Sequence, residues 1–395
     1  TIPKGTKIFA DANYDSQGSL PNQSYLQITR GSRIVAEGTV DEPIVLSSDE
    51  PGYRHSNHWG GVIIQGLAGH TQCLPDDSVC NAQDSEVGAD DTPIHGLLGY
   101  YGGADEADSS GVLRHVVITA SGRDYDYDPN GTPIHTEFAG LKLQSVGSGT
   151  DISHVQIHRN GGEDTNAGLT LSGGAVNLSE LVINEGQDDS LRMTGGYQGS
   201  IQNIYIETES WGDYDRNAVD VSSMPGDLRP TQPTLANATI VAGKSAPCCD
   251  GDQDQPAPQT HIMNVEGGAG VLLHNTVVTA DPQSGTTIES CLRVDEASQP
   301  LIGSAVVLNN LIQDCAIEGT GTLAVGESGE ELTALTNDSI IPLEPTFLST
   351  IAVAELEAIL SEPTDWDTIN AEYPDSTADT DFLVGTDYMG AVDPL

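Results

Sequence analysis

The sharpest candidate for chemistry in this sequence is an acidic loop that runs from Asp126 to Glu137. It fits the calcium-loop pattern D-x-[DN]-x-[DN]-G followed by five residues and Glu. Alternate oxygens face the ion in such a loop, the glycine permits a sharp turn, and the final Glu binds through both carboxylate oxygens. Because no helical pattern flanks it, we predict a calcium loop on a β-scaffold, with a solvated acidic loop as the alternative. The predicted ligands are Asp126, Asp128, Asn130, the Thr132 carbonyl and Glu137, with Asp124 just upstream.

Weaker versions of the same pattern recur along the chain. They share the alternating oxygens but lack the combination of Gly and Glu. The 59 acidic and 14 basic residues give a net charge of −45. Bound cations would offset the resulting carboxylate repulsion, so we expect calcium as the cofactor, as several ions. The weaker candidate ligands are Asp11, Asn13 and Asp15, then Asp213, Asp215 and Asn217, and finally Asp250, Asp252 and Asp254.

The charge and hydropathy patterns also restrict the partners. Nucleic acids and anionic membrane surfaces require clustered Lys and Arg, which a chain of this charge lacks. No apolar run approaches the roughly 18 residues of a membrane span. We therefore expect no nucleic acid partner and no membrane span.

The six cysteines occur as local pairs. An even count at short spacing favours disulfides in an oxidising compartment, and a metal cluster is the alternative, although no C-x-x-C pair is present. The adjacent pair could form a vicinal bridge, which the sequence leaves open. The pairs are Cys73 with Cys80, Cys248 with Cys249, and Cys291 with Cys315.

Histidines and paired acids are the remaining candidates for chemistry. His154 and His158 would face the same side of a strand, as zinc ligands do, but no third ligand is fixed, so stacking is favoured. Gln187-Asp-Asp189 resembles one acidic motif of polygalacturonase-type glycosidases, whose other motifs are absent. A pectate-lyase-like reaction needs calcium and a base, for which only Arg114, Arg159 and Arg192 are candidates. We expect no enzyme, with a polysaccharide lyase or glycosidase as the alternative.

The elements that must position these groups are short repeated strands. Residues 140–210 repeat a line of two alternating strands, a Gly-rich corner and an acidic corner, which predicts a β-solenoid. Each repeat starts at an apolar anchor, and the uneven spacing indicates insertions at some corners. The anchors are Leu141, Leu169, Leu191, Val219, Ile262 and Leu292.

The pattern divides the chain into three parts. Residues 1–48 are N-terminal strands that start the solenoid, and 49–345 form its body. Insertions are expected at about 65–110, 224–233 and 244–259. Residues 346–395 form a cap that includes one helix, Ile351–Ser361, expected to cover an open sheet end.

Several stretches carry a resemblance to a known family. They include Arg33-Ile-Val-Ala-Glu-Gly-Thr39, Trp59-Gly-Gly-Val-Ile63, Tyr101 to Val116 and Asp387-Tyr-Met-Gly-Ala391, in the same order. These resemble bacterial secreted or surface-lipoprotein chains that are right-handed parallel β-helices, mostly of unassigned function. The resemblance implies that fold and a secreted or extracellular-surface bacterial location, and it supplies no catalytic residues.

Together these features predict an all-β, calcium-binding structural protein of the cell surface or matrix. The strand around Thr6–Ala10 could pair with the open end of another copy, which predicts head-to-tail homo-oligomers and filaments. The alternative is a carbohydrate-binding surface module, in which aromatic rings stack on sugars. The candidate rings are Trp59, Tyr100, Tyr101 and Trp211.

Overall fold

The structure is a computed structural model, and it describes the parts of the chain that build the solenoid. The described residues are 1–10, 24–48, 58–74, 76–82, 99–122, 125–127, 133–135, 138–160, 167–186, 189–208, 217–242, 261–280, 290–314, 323–325, 330–331 and 340–342. The predicted helix Ile351–Ser361 lies outside them. Within the described residues no helix is long and apolar enough to cross a membrane.

Two large sheets run the length of the molecule. Sheet A contains Lys7–Ala10 (β1), Ile34–Glu37 (β3), Ile44–Ser48 (β4), Gly111–Thr119 (β8), Asp151–His158 (β12), Leu178–Gly186 (β14), Ser200–Thr208 (β16), Thr234–Ala242 (β18), Val271–Ala280 (β20), Val306–Asp314 (β22) and Ile340–Pro342 (β25). Sheet B contains Leu26–Ile28 (β2), Val62–Gln65 (β5), Leu141–Gln144 (β11), Leu169–Ser172 (β13), Leu191–Thr194 (β15), Val219–Ser222 (β17), His261–Glu266 (β19), Ser290–Val294 (β21), Leu323–Val325 (β23) and Glu330–Glu331 (β24).

Two small hairpins accompany the large sheets. Val79–Ala82 (β6) pairs with Tyr101–Gly103 (β7), and Tyr125–Tyr127 (β9) pairs with Pro133–His135 (β10), both antiparallel. A short 3₁₀ turn, Gln299–Leu301, precedes β22.

Each turn of chain contributes one strand to sheet B and the next to sheet A, and successive turns stack in parallel. The chain is a right-handed parallel β-helix, as predicted, because parallel crossovers favour that hand. In sheet B the anchors Leu141, Leu169, Leu191 and Val219 stand in register. The next predicted anchor, Ile262, is wrong by one residue, because Val219 pairs with Met263.

The core lies between the two sheets and extends along the whole solenoid. Alternate residues of each strand point inward, so Leu141 and Leu143 are buried in it, as are Leu169 and Leu171. Each fully buried leucine contributes roughly 2 kcal/mol of transfer free energy. The close packing extends to the corners: a Cβ added at Gly140 would lie 2.6 Å from Ile157 Cγ2, which requires glycine there.

A bend divides six strands of sheet A into two short straight halves. In β12 the residue at the bend is His154, with φ 55°, and burial resumes at Val155. A left-handed residue cannot continue an extended strand, so the chain turns there and the solenoid gains a third face. The bend residues stand in register on consecutive turns, and we call them the bend column: His115, His154, Glu180, Asn203, Asn237 and Asn275.

The first strand of sheet A leaves one edge open within the described residues. β1 pairs with β4 on one side and is the first strand in the sheet order. Its side chains Ile8 and Phe9 are 41% and 51% exposed. The predicted strand Thr6–Ala10 is therefore confirmed as a strand at the end of the solenoid.

Candidate functional site

One row of polar residues on sheet B alternates with the core residues, and four of its six members are 2–7% exposed. In each strand a polar residue lies between two core residues, as Arg192 does between Leu191 and Met193. Parallel register places these residues one above the other at about 4.8 Å per turn. We call this row the polar strip: Lys142, Thr170, Arg192, Asp220, Asn264 and Arg293, flanked by Asp189 and Glu266.

The middle of the polar strip is an arginine held by a buried carboxylate. Arg192 donates through Nε and Nη2 to Asp189 Oδ2, at 3.2 and 3.0 Å. The other oxygen of Asp189 accepts the backbone N–H of Asn217 at 2.9 Å. The side chain of Asp189 is only 6% exposed, so the pair is shielded from water. Asp189 is thus a hydrogen-bonded corner residue that fixes the direction of Arg192.

The second part of the strip is a network around Asn264. Its Nδ2 donates to Asp220 Oδ1 at 3.1 Å and to Glu266 Oε2 at 2.9 Å. Arg293 Nη1 donates to Asn264 Oδ1 at 3.0 Å. The side chain of Glu266 is 42% exposed, and it is the part of this network that faces solvent most openly.

Asp220 has an unusual electrostatic environment. Its pKa is raised from 3.8 to about 6, chiefly by burial and in part by the nearby Glu266, while Arg192 and hydrogen bonds to Ser222 and Asn264 lower it. A buried carboxylate with a raised pKa among charged neighbours is typical of functional sites, because stability alone would favour a neutral residue. The strip therefore combines fixed cations with a carboxylate that is costly to keep ionised.

The predicted calcium ligands fall mostly outside the described residues. Asp126 lies in β9, which pairs with β10 so that Asp126 stands opposite Ile134. Asn217 is described, and its backbone N–H binds Asp189. Within the described residues no three His, Cys, Asp or Glu side chains form a metal site. The predicted ligands outside the described residues are Asp11, Asn13, Asp15, Asp124, Asp128, Asn130, Thr132, Glu137, Asp213, Asp215, Asp250, Asp252 and Asp254.

The cysteines bear out one predicted pair. Cys73 and Cys80 form a disulfide, which joins β6 to the preceding turn. Cys291 is disulfide-bonded and fully buried, and its predicted partner Cys315 lies outside the described residues. Cys248 and Cys249 lie there as well, so their pairing stays a prediction.

The predicted histidine pair separates into two different contacts. His154 stacks on His115 of the preceding turn, with ring centroids 4.3 Å apart. His158 instead bonds to Asn184 and to Gln156. Stacking along the solenoid is therefore what the structure shows for His154.

The prediction that four aromatic rings could stack on sugars is wrong for two of them. Trp59 and Tyr101 are 4% and 1% exposed, and Trp59 Nε1 donates to the Thr119 carbonyl at 3.0 Å. Both rings pack inside the protein, where they fill the interior and cannot meet a ligand. Trp211 lies outside the described residues, and Tyr100 is half-buried.

The three arginines considered as bases do not share one site. Arg114 lies on sheet A, where it binds Asp151 and Glu37. Arg159 directly follows β12 and has a left-handed conformation. Only Arg192 belongs to the polar strip.

The family model that matches this chain is described as a pectate-lyase-like β-helix domain, and it covers residues 1–334. The chain belongs to that family. No curated protein and no solved structure gives a significant match. Membership suggests a surface or carbohydrate-related function. Domains of this kind are typically extracellular, which the Cys73–Cys80 disulfide fits.

The polar strip escaped the sequence-based prediction, although a signal for it exists. Its members lie 22 or more positions apart for the most part, and only the register brings them together. The signal is a polar residue enclosed by two apolar anchors in each repeat, as in Leu-Lys-Leu, Leu-Arg-Met and Val-Asp-Val. Aligning the repeats on their anchors would have placed these residues in one row.

Proposed function

We propose that this protein is an extracellular β-helix that binds an acidic polysaccharide along the polar strip, without cleaving it. The observation that carries the proposal is that Arg192 and Arg293 stand in one row on sheet B, each with a side chain that is 19% exposed. Lys142 lies in the same row but is only 2% exposed, so the two arginines, which lie among the acids Asp189, Asp220 and Glu266, are the cations of this row that a ligand could reach. A linear polyanion lying along the axis would meet these two arginines, which stand three turns apart.

Binding is favoured over cleavage because each partly exposed arginine of the strip is already engaged by a carboxylate. A lyase base must be free to take a proton from the sugar, whereas these guanidinium groups already donate to neighbouring side chains. Arg192 binds Asp189 and Arg293 faces Glu266. Both guanidinium groups are therefore suited to hold a sugar carboxylate by paired hydrogen bonds.

The test is titration calorimetry with polygalacturonate, in parallel with an assay for unsaturated sugar products. We expect binding without product, and Arg293→Gln should weaken binding roughly tenfold or more, the loss of a charged contact. Arg33→Gln is the matched control, since Arg33 is an exposed arginine off the strip. Equal binding by both variants would refute the strip as the site, and accumulating product would refute binding without cleavage.

We also propose that calcium stiffens the loops of this scaffold, with Asp126, Asp128, Asn130, Thr132 and Glu137 as the first site. The support is the loop pattern in the sequence and the net charge of −45, which bound cations would offset. Metal analysis and melting curves with and without a chelator test it. We expect bound calcium and a melting temperature that falls on chelation, and that falls much less in Glu137→Gln than in the control Glu42→Gln. A melting temperature indifferent to chelator at low salt would contradict the proposal.

A structural role by self-assembly is the second candidate function, and the open edge of β1 favours it. Ile8 and Phe9 are exposed there, and an unpaired strand edge invites pairing with another chain. A head-to-tail contact of this kind propagates as a filament. Electron microscopy and light scattering in millimolar calcium should show filaments for the natural protein and monomers for Phe9→Lys, with Leu74→Lys as an exposed control. Monomers of the natural protein would remove this function.

A further inference from the structure

A second surface with its own chemistry lies at the bend of sheet A, away from the polar strip. A groove of about 430 Å³ separates the turn around Val40 from the outer face of the strands that follow. That volume lies within the range of small-molecule sites. We call it the corner groove, and its wall on the N-terminal side is formed by Thr39, Val40 and Pro43.

One side of the corner groove is a ladder of planar polar groups from the bend column. His115, His154, Glu180 and Asn203 occupy four consecutive turns. The two imidazoles stack at 4.3 Å, and Asn203 Nδ2 donates to Glu180 Oε1 at 3.0 Å. These contacts hold the groups in a line parallel to the axis.

The floor of the groove alternates between apolar and polar residues. Two residues beyond the bend, Val117, Gln156, Val182 and Tyr205 stand in register on the same four turns. Tyr205 donates its hydroxyl to Glu207 at 3.1 Å, which fixes the orientation of the ring. Gln156 is exposed and accepts from His158 Nε2 at 3.0 Å.

The charges around the groove select against an anion. Arg114 is the residue that precedes His115 in β8, and its guanidinium binds Asp151 and Glu37. Glu180 lines the groove and Glu207 lies behind Tyr205. A ligand carrying carboxylates or phosphates would meet these acids in a chain of net charge −45.

We infer that the corner groove binds a neutral oligosaccharide that lies along the solenoid axis. Planar amide, carboxylate and imidazole groups pair with the neighbouring hydroxyls of a sugar, and the Tyr205 ring and the valines offer faces for its apolar side. The site is independent of the polar strip, because the two lie on different sheets and would take different sugars, a neutral one in the groove and an anionic one on the strip.

The experiment is calorimetry of the full chain with a panel of short neutral oligosaccharides built on glucose, mannose and xylose. We expect at least one to bind, and both Gln156→Ala and Tyr205→Ala to weaken that binding roughly tenfold. Gln198→Ala is the matched control, since this glutamine binds the Pro230 carbonyl elsewhere on the surface. Melting curves of each variant establish that it is folded.

The outcomes separate this inference from the proposed function. Neutral binding that is lost in Gln156→Ala and kept in Arg293→Gln supports a separate neutral-sugar site. No binding of any neutral oligosaccharide, or binding unaffected by both groove variants, overturns it. Polygalacturonate binding serves as the independent readout, because it should be the same in Gln156→Ala and in the natural protein.

Discussion

The polar strip and the corner groove are built by the same device and differ in what surrounds them. Each is a row of in-register residues repeated at every turn of the solenoid. On the strip Asp220 and Asn264 are 7% and 5% exposed and joined in one network. In the groove His154 and Gln156 are exposed to solvent. The difference teaches that periodicity only aligns the groups, whereas burial decides whether they act as a rigid charged array or as an open surface.

Removing the central cation of the polar strip should cause the largest loss of stability. Arg192→Ala leaves Asp189 and Asp220 without their main counter-charge in a buried setting, and we expect a loss of about 3 kcal/mol in the free energy of unfolding. Urea unfolding measures it. Arg33→Ala, which changes an exposed arginine, should cost less than about 0.5 kcal/mol. Similar losses in the two variants would contradict the strip as a buried network.

The bend column contains both buried and exposed residues, so substitutions at its buried positions should destabilise the protein more than those at its exposed positions. Asn237 is fully buried, has φ 51°, and accepts a hydrogen bond from Gln202 Nε2 at 3.2 Å. Asn237→Ala loses that bond and places alanine in a left-handed conformation, so we expect a cost of about 2 kcal/mol. Thermal and urea unfolding check this. Asn237→Gly loses the same hydrogen bond but tolerates the left-handed conformation, so it is the control and should cost clearly less.

A substitution of Asp220 should stabilise the protein, in contrast to the two preceding substitutions. Because burial raises its pKa to about 6, the folded state holds this proton more tightly than the unfolded state. Stability should therefore fall as pH rises from about 4 to about 6 and then level off. Asp220→Asn should remove this slope and stabilise the protein at neutral pH by on the order of 2 kcal/mol. Urea unfolding at about pH 4 and about pH 7 measures it, with Asp41→Asn as control; a gain that is equal at both pH values would refute the cause.

The smallest change in stability is expected at the solvent-exposed end of the bend column. His154→Asn keeps a residue tolerant of the left-handed conformation and removes an exposed ring, so stability should change by less than about 0.5 kcal/mol. The pKa of His115 is lowered by partial burial, by His154 and by Arg114, so part of that depression should disappear. Proton NMR titration of His115 measures the rise. An unchanged pKa would contradict the coupling of the two rings.

More of the fold than of the candidate site could be predicted from the sequence. Apolar anchors such as Leu141 and Leu169 repeat visibly because every turn must bury the same face. The error at Ile262 arose where a long insertion precedes β19 and hides the register, and two adjacent buried residues fit equally well. The polar strip and the corner groove were missed for one physical reason. Neighbours such as Arg192 and Asp220 are 28 positions apart and meet only through hydrogen bonds between turns.

The bend column was hidden for a different reason. A left-handed conformation is expected at Gly or Asn, and Asn203, Asn237 and Asn275 fit that rule. His115, His154 and Glu180 do not, and it is these three that line the groove together with Asn203. Within the bend column, the residues that break the local rule therefore lie on the proposed ligand surface, where chemistry and not backbone preference would select them.

The stacking of turns through backbone hydrogen bonds has a mechanical consequence. Strands run across the axis and their hydrogen bonds run along it, so a pull on the two ends loads the interfaces between turns in series. The weakest interface then sets the breaking force. Inside the molecule, consecutive turns remain tethered by tens of residues of chain, far longer than the rung spacing of about 4.8 Å, so a ruptured interface yields slack and can close again. Such a solenoid would extend under tension in steps, each of which is reversible when the tension is released.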